Sequence, residues 1–309
     1  MKPPIAILVA AAALLAGCGS TASPRPSSDG IPRLDFAYDA TAPLDYRDRS
    51  LTEQPSSPLA VHDISYRSGA RRVQGYLLVP PGSERRPAVI FVTGSGGDRG
   101  DLLKEAAWLA ARNVVTLTIT PPSTLITASP TTADALLAQA RAVTVGDVVA
   151  VRRAVDVLRS LPTVDVSRIG YVGWSLGAKT GTFVAAAEPR VKALVLLSAG
   201  ADTLAAFVAS APPGLRAKAK TVLGSVDPIR YIAFASPGSV LLEDGRNDEI
   251  VPRQALQNVA HAAPKGTVLR WYRAPHALNA TAYEDAFDWL AGKLSIKGPP
   301  VAGATTGPR

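Results

Sequence analysis

Apolar residues fall along this chain in short β-branched runs that alternate with stretches of helical spacing. Residues 61–66 and 73–79 read as the first two strands, joined as a hairpin through 67–71. The run Ala88-Val89-Ile90-Phe91-Val92 is apolar throughout and ends in Thr93-Gly94-Ser95-Gly96-Gly97. That pattern suits a strand buried on both faces and closed by a glycine loop. Helical spacing follows over 102–111, a strand over 114–119, a long amphipathic helix over 143–161 and a strand over 168–172. Beyond them the pattern predicts a helix over 178–187, strands over 193–197 and 239–242, a helix over 253–262, a strand over 267–272 and a closing helix over 282–294. Alternation of this kind predicts an α/β fold: a mostly parallel central sheet, helices on both faces and right-handed crossovers. Open sheets of this class bind ligands beyond the carboxyl ends of their strands.

The two ends do not share this patterning. Lys2 precedes an apolar run over 5–15, and Leu15-Ala16-Gly17 leads into Cys18, the only cysteine of the 309 residues. This resembles a bacterial lipoprotein signal peptide with its lipobox, the run being too short to span a bilayer as a mature helix. The resemblance implies cleavage after 1–17, lipidation of Cys18, membrane attachment through that anchor, and a place in the cell envelope. Residues 18–34 then read as a flexible Ser/Thr/Pro/Gly tether, 35–297 as one domain and 298–309 as a disordered tail. A single cysteine excludes an internal disulfide, so burial alone must hold the domain together. The formal charge of +8 is basic, but the arginine pairs are scattered and no aromatic residues interleave with them. Nucleic acid is therefore excluded as the expected partner.

The chemistry concentrates in Gly173-Trp174-Ser175-Leu176-Gly177, between a strand pattern and an alanine-rich helical stretch. Gly-x-Ser-x-Gly occurs by chance in roughly one chain in ten of this length. Its position between strand and helix gives it meaning. A sharp strand-to-helix turn needs small neighbours and presents Ser175 at a helix N-terminus, where unpaired N–H groups favour developing negative charge.

A serine nucleophile needs a base, and histidine titrates near neutrality. Of the three histidines, His62 falls in the first strand pattern and His261 at the end of a helix pattern. His276 follows the last strand, at the edge where ligands bind, and is the expected base. The acid that orients it is expected at Asp248, just past the strand over 239–242, with Asp244, Glu249 and Asp202 as rivals. Two N–H donors are expected for an oxyanion, from Leu176 and from Ser95. The glycine loop lacks the Lys-Ser/Thr of a phosphate cradle. No cofactor and no metal is expected.

Together Gly173 to Gly177, Gly245-Arg246-Asn247-Asp248 before Val251-Pro252, and Pro275-His276 resemble the α/β-hydrolase superfamily, in particular its dienelactone-hydrolase-like and acetyl-xylan-esterase-like branches. The likeness spans about 61–294. It implies an α/β-hydrolase fold, with Ser175 as nucleophile, Asp248 as acid and His276 as base of a serine esterase acting on a small-molecule ester. One departure is Thr93, which stands where many esterases carry the histidine of a His-Gly motif. Residues 201–238 read as a small cap insertion, and Trp174, Pro122 and Phe207 as candidate pocket residues. A cap of this size suits short or medium acyl groups. Other readings are a prolyl-oligopeptidase-type serine peptidase, for which the chain has no room for the usual accessory domain, an acyl-CoA thioesterase or acyltransferase, and a non-catalytic surface binding protein.

Overall fold

The computed structural model describes residues 33–51, 58–125 and 132–305. The amino-terminal leader, Cys18 and most of the expected tether lie outside the described residues.

Nine strands form one sheet in the order β1-β2-β3-β5-β4-β6-β7-β8-β9. The antiparallel end consists of β1 (Arg47–Ser50), β2 (Ala60–Ser68) and β3 (Arg71–Val79). Next to it, β5 (Val115–Ile119) pairs antiparallel with β3 and parallel with β4 (Arg86–Val92). From there β6 (Val164–Trp174), β7 (Val191–Leu197), β8 (Val240–Gly245) and β9 (Val268–Tyr272) continue in parallel. The carboxyl ends of the parallel strands consequently share one rim. A mostly parallel sheet covered by helices is what the residue patterns predict.

Alternation along each strand divides the core into two. Ala88, Ile90 and Val92 of β4 face one side, packed with α2 (Ala133–Ser160) and α3 (Leu176–Ala187). Val89 and Phe91 face the other, packed with α1 (Leu103–Ala110) and α8 (Ala280–Lys293). Side chains two residues apart share a face of a pleated strand, so one run of five apolar residues feeds both layers.

Two local differences from the residue patterns have physical causes. Strand β1 has the sequence Arg-Asp-Arg-Ser and is exposed throughout, so it carries no apolar signal. Its charges are suited to an uncovered sheet edge. Helix α2 begins at Ala133, ten residues before the amphipathic stretch, because Thr132 caps it by accepting from the Ala135 N–H at 3.2 Å. The first turns are rich in helix-forming Ala, Leu and Gln but lack a sharp apolar stripe.

The insertion between β7 and β8 folds into α4 (Leu204–Ser210), α5 (Arg216–Ser225) and α6 (Pro228–Ile232). Helix α5 rests on α2, and α6 rests on α3 and on α7 (Arg253–Ala262).

Both boundaries of the domain extend further than composition suggests. Leu34, assigned to the tether, is buried, and its N–H donates to the Tyr231 hydroxyl at 2.6 Å. Phe36 beside it packs edge-on against Tyr231, with ring centres 5.7 Å apart. At the other end, Val301 of the expected disordered tail donates its N–H to the Ala111 carbonyl at 2.7 Å and packs against the cluster of Leu59, Leu78 and Ala110. Short apolar islands in polar segments find a surface to bury against, which composition alone does not register.

Candidate active site

Strand β6 ends at Trp174 and α3 starts at Leu176, leaving Ser175 as the whole of the turn. Its backbone takes φ 55° and ψ −113°, a conformation that costs an L-residue about 1–3 kcal/mol. The surroundings enforce it. Ser175 donates its N–H to the Leu197 carbonyl and accepts from the Lys179 N–H, each at 2.9 Å. A Cβ at position 173 would lie 2.4 Å from the Gly177 carbonyl oxygen, and one at 177 would lie 2.1 Å from that of Val92. Neither glycine can be replaced without moving backbone.

At the same rim the structure brings together three residues from distant parts of the chain. Ser175 Oγ lies 2.9 Å from His276 Nε2, and His276 Nδ1 lies 2.8 Å from Asp248 Oδ2. With the proton on Nδ1, the imidazole donates to the carboxylate and Nε2 accepts from the serine hydroxyl. Both partners are well shielded, with side-chain exposure of 9% for His276 and 2% for Asp248. The other carboxylate oxygen, Asp248 Oδ1, accepts from the Ile250 N–H at 2.9 Å and the Val251 N–H at 2.8 Å. Two backbone donors therefore fix one oxygen and leave the other aimed at the imidazole.

The rival residues take other positions. Glu249 Oε2 accepts from the His276 backbone N–H at 3.3 Å. Asp244, on β8, is 1% exposed, and Oδ1 has no hydrogen-bond partner among the described residues. Burial, aided by the negative charge of Asp248, pushes its carboxyl up to about 7, against the opposing donation from the Ala199 N–H. Asp202 is exposed between β7 and α4. His62 pairs with Asp48 at 2.9 Å on the antiparallel end, and His261 is exposed in the last turn of α7.

The glycine loop after β4 abuts the serine. A Cβ at Gly94 would lie 3.2 Å from Ser175 Cβ and 3.2 Å from the Trp174 ring. Thr93 is buried beneath the loop and donates its hydroxyl to Asp101 Oδ2 at 2.8 Å, bracing the turn from inside. Ser95 lies exposed on this loop, and Leu176 opens α3 immediately after the serine.

Two contacts to His276 carry no sequence signal. The Trp174 indole N–H donates to the His276 carbonyl at 3.0 Å, and the Ser198 hydroxyl donates to the same carbonyl at 2.9 Å. Ser198 is buried just past β7 and, like Ser175, has positive φ at 56°. Trp174, read from sequence as a candidate pocket residue, thus directs its polar edge to the histidine loop. Pro122 is buried at the start of a 3-10 turn (Pro122–Leu125), where its carbonyl accepts from Arg71 at 3.4 Å. Phe207 lies on α4. Among the described residues no group of three or more His, Cys, Asp or Glu is placed to hold a metal ion, and no helix is long and apolar enough to cross a membrane.

Comparison with known proteins agrees with this architecture. Residues 151–211, which include the serine turn, match the family model described as BAAT / Acyl-CoA thioester hydrolase C terminal. An acetyl xylan esterase from Paenibacillus sp. R4 superposes with a TM-score of 0.68 at 16% identity, over 82% of this chain and 90% of that one. Acetyl xylan esterase 1 from Thermoanaerobacterium sp. JW/SL YS485 gives 0.66 at 18% identity, over 83% and 89%. A putative dienelactone hydrolase from Klebsiella pneumoniae subsp. pneumoniae MGH 78578 gives 0.53 at 15% identity, over 82% and 98%. No curated protein sequence matches the chain. The chain has the α/β-hydrolase fold.

Proposed function

We propose that this α/β-hydrolase chain is a serine carboxylic-ester hydrolase acting on short or medium acyl esters. The observation that carries the reading is the unbroken relay from Ser175 Oγ through His276 to Asp248, with both links under 3 Å, built on a serine turn at the ligand-binding rim of the sheet. The esterases among the structures of similar fold support it.

In this reading Ser175 Oγ attacks the ester carbonyl carbon while its proton passes to His276 Nε2, and the carbonyl π electrons move onto oxygen. The N–H groups of Leu176 and of the loop at Ser95 receive that oxyanion. Collapse breaks the bond to the alcohol, which leaves with the proton from His276. Water then attacks the acyl-enzyme with His276 again as base, releasing the acid and restoring Ser175. Asp248, held by two backbone donors, keeps the imidazole in the required tautomer and offsets its positive charge during each transfer.

The test is hydrolysis of p-nitrophenyl acetate and butyrate, together with fluorophosphonate labelling mapped by mass spectrometry. Ser175→Ala is expected to lose label and to lower turnover by at least about 10⁴-fold. Unchanged turnover in that variant would reject the reading. A second reading, an acyl-CoA thioesterase or acyltransferase, draws on the match of residues 151–211. It predicts faster cleavage of acyl-CoA than of the oxygen ester with the same acyl group.

The proposal extends to location. The leader before Cys18 would make the mature protein a lipid-anchored protein of the cell envelope. Cys18→Ser would then move it from the membrane fraction to the soluble fraction, and continued membrane association would count against the anchor.

A further inference from the structure

We propose that Trp174 and Ser198 are positioning residues that hold the backbone of His276, and so set the separation between its imidazole and Ser175. The inference rests on the hydrolase reading and deepens it.

His276 lies in the loop between β9 and α8, at an edge of the sheet where no strand ladder can hold it. Its backbone polar groups are satisfied by side chains instead. The carbonyl accepts from Trp174 Nε1 at 3.0 Å and from Ser198 Oγ at 2.9 Å, filling both lone pairs. The N–H donates to Glu249 at 3.3 Å. These three side chains follow or end β6, β7 and β8, so the histidine loop is tied to three adjacent strands rather than to its own.

Each anchor is itself held. The Trp174 ring lies against Gly94, where a Cβ would come within 3.2 Å of it, so one indole spans the glycine loop and the histidine loop. Its ring centre is 5.5 Å from that of His276. Ser198 donates its N–H to the Glu243 carbonyl at 2.8 Å and keeps φ at 56°, a strained conformation that aims its hydroxyl at the histidine carbonyl. Strain of this kind persists where surrounding contacts over-determine it. A base displaced by about 1 Å from a nucleophile loses as much as 10²-fold in rate. Two neutral donors on one carbonyl, one from the buried Ser198 and one from the half-buried Trp174, are suited to prevent that displacement.

The experiment compares wild type, Trp174→Phe, Ser198→Ala and the double variant. The readouts are kcat and KM for p-nitrophenyl acetate, the rate of fluorophosphonate labelling at Ser175, and Tm. Phenylalanine keeps an aromatic ring and removes the N–H together with part of the indole's bulk, so Tm reports any loss of packing against Gly94. Each single variant is expected to lower kcat and the labelling rate about tenfold, and the double variant about a hundredfold, with KM within about twofold of wild type. Ser198→Gly relieves the positive φ while also removing the hydroxyl, and is expected to be as slow as Ser198→Ala with no loss of Tm. Restored turnover in the glycine variant would overturn the role of the hydroxyl. A rise in KM at constant kcat in Trp174→Phe would make the indole a substrate wall and overturn its positioning role. If wild type itself takes no label and hydrolyses no ester, the hydrolase reading fails. If wild type is active and the double variant matches it, only the positioning inference fails.

Discussion

Gly94 and Ser175 approach so closely that a side chain at position 94 would have to displace the serine or the Trp174 ring. The Cβ of an alanine there would sit 3.2 Å from both. That contact couples the glycine loop to the serine turn. Gly94→Ala is expected to lower kcat for p-nitrophenyl acetate about tenfold or more, since the loop must retreat by a few tenths of an ångström from the place where the proposed mechanism needs its N–H groups. Steady-state kinetics check it. A variant with wild-type kcat would mean that the loop donors do not participate.

The proposed acid and base are separable from their neighbours by mutation. His276→Ala and Asp248→Asn are expected to reduce kcat by at least about 10³-fold, the second because an amide facing Nδ1 favours the wrong tautomer. His261→Ala, on the exposed last turn of α7, is expected to leave kcat within about twofold. Large loss in His261→Ala, or retained activity in His276→Ala, would reverse the assignment.

Asp244 makes stability depend on pH in a defined direction. Its folded-state carboxyl is raised from 3.8 to about 7, chiefly by burial and then by Asp248. The unfolded chain releases this proton near pH 4, whereas the folded protein keeps it until about pH 7. Stability therefore falls as pH rises between those values and levels off above them. Asp244→Asn keeps a neutral group that can accept from the Ala199 N–H. It is expected to lose less stability than wild type between pH 5 and pH 8, by an amount on the order of a few kcal/mol. Urea unfolding at the two pH values measures it. Parallel losses in both proteins would show that Asp244 is not the group responsible.

The amino-terminal segment is held by a specific buried contact. Tyr231→Phe removes the acceptor of the Leu34 N–H and is expected to cost about 1–2 kcal/mol, lowering Tm by a few degrees, because a buried donor is left unpaired. Turnover of p-nitrophenyl acetate well below the melting temperature should not change. An unaltered Tm would place the Leu34 N–H in solvent.

Much of the sheet was legible because its signals are local. Five apolar residues in a row at 88–92 must be buried on both faces, and helical spacing at 253–262 predicts α7 with the bounds the structure has. The edge strand β1 was not legible, since exposed Arg-Asp-Arg-Ser buries nothing. The first turns of α2 were hidden for a related reason: their helix-forming residues lack the periodic apolar stripe that marks an amphipathic helix.

The serine turn belongs to the sequence. Glycines at 173 and 177 are demanded by backbone atoms that a Cβ would strike, so the pattern around Ser175 already specifies strand, turn and helix. The choice among Asp244, Asp248 and Glu249 belongs to the tertiary structure. These carboxylates lie within six residues, and chain order cannot distinguish them. Folding places one beside the imidazole nitrogen, one buried on β8 where it accepts from the Ala199 N–H, and one against the histidine backbone. The Trp174 and Ser198 contacts to His276 likewise join residues 102 and 78 positions apart. Steric demands between near neighbours are written into residue types, whereas the partner of a hydrogen bond across the sheet exists only once the strands that carry it are side by side.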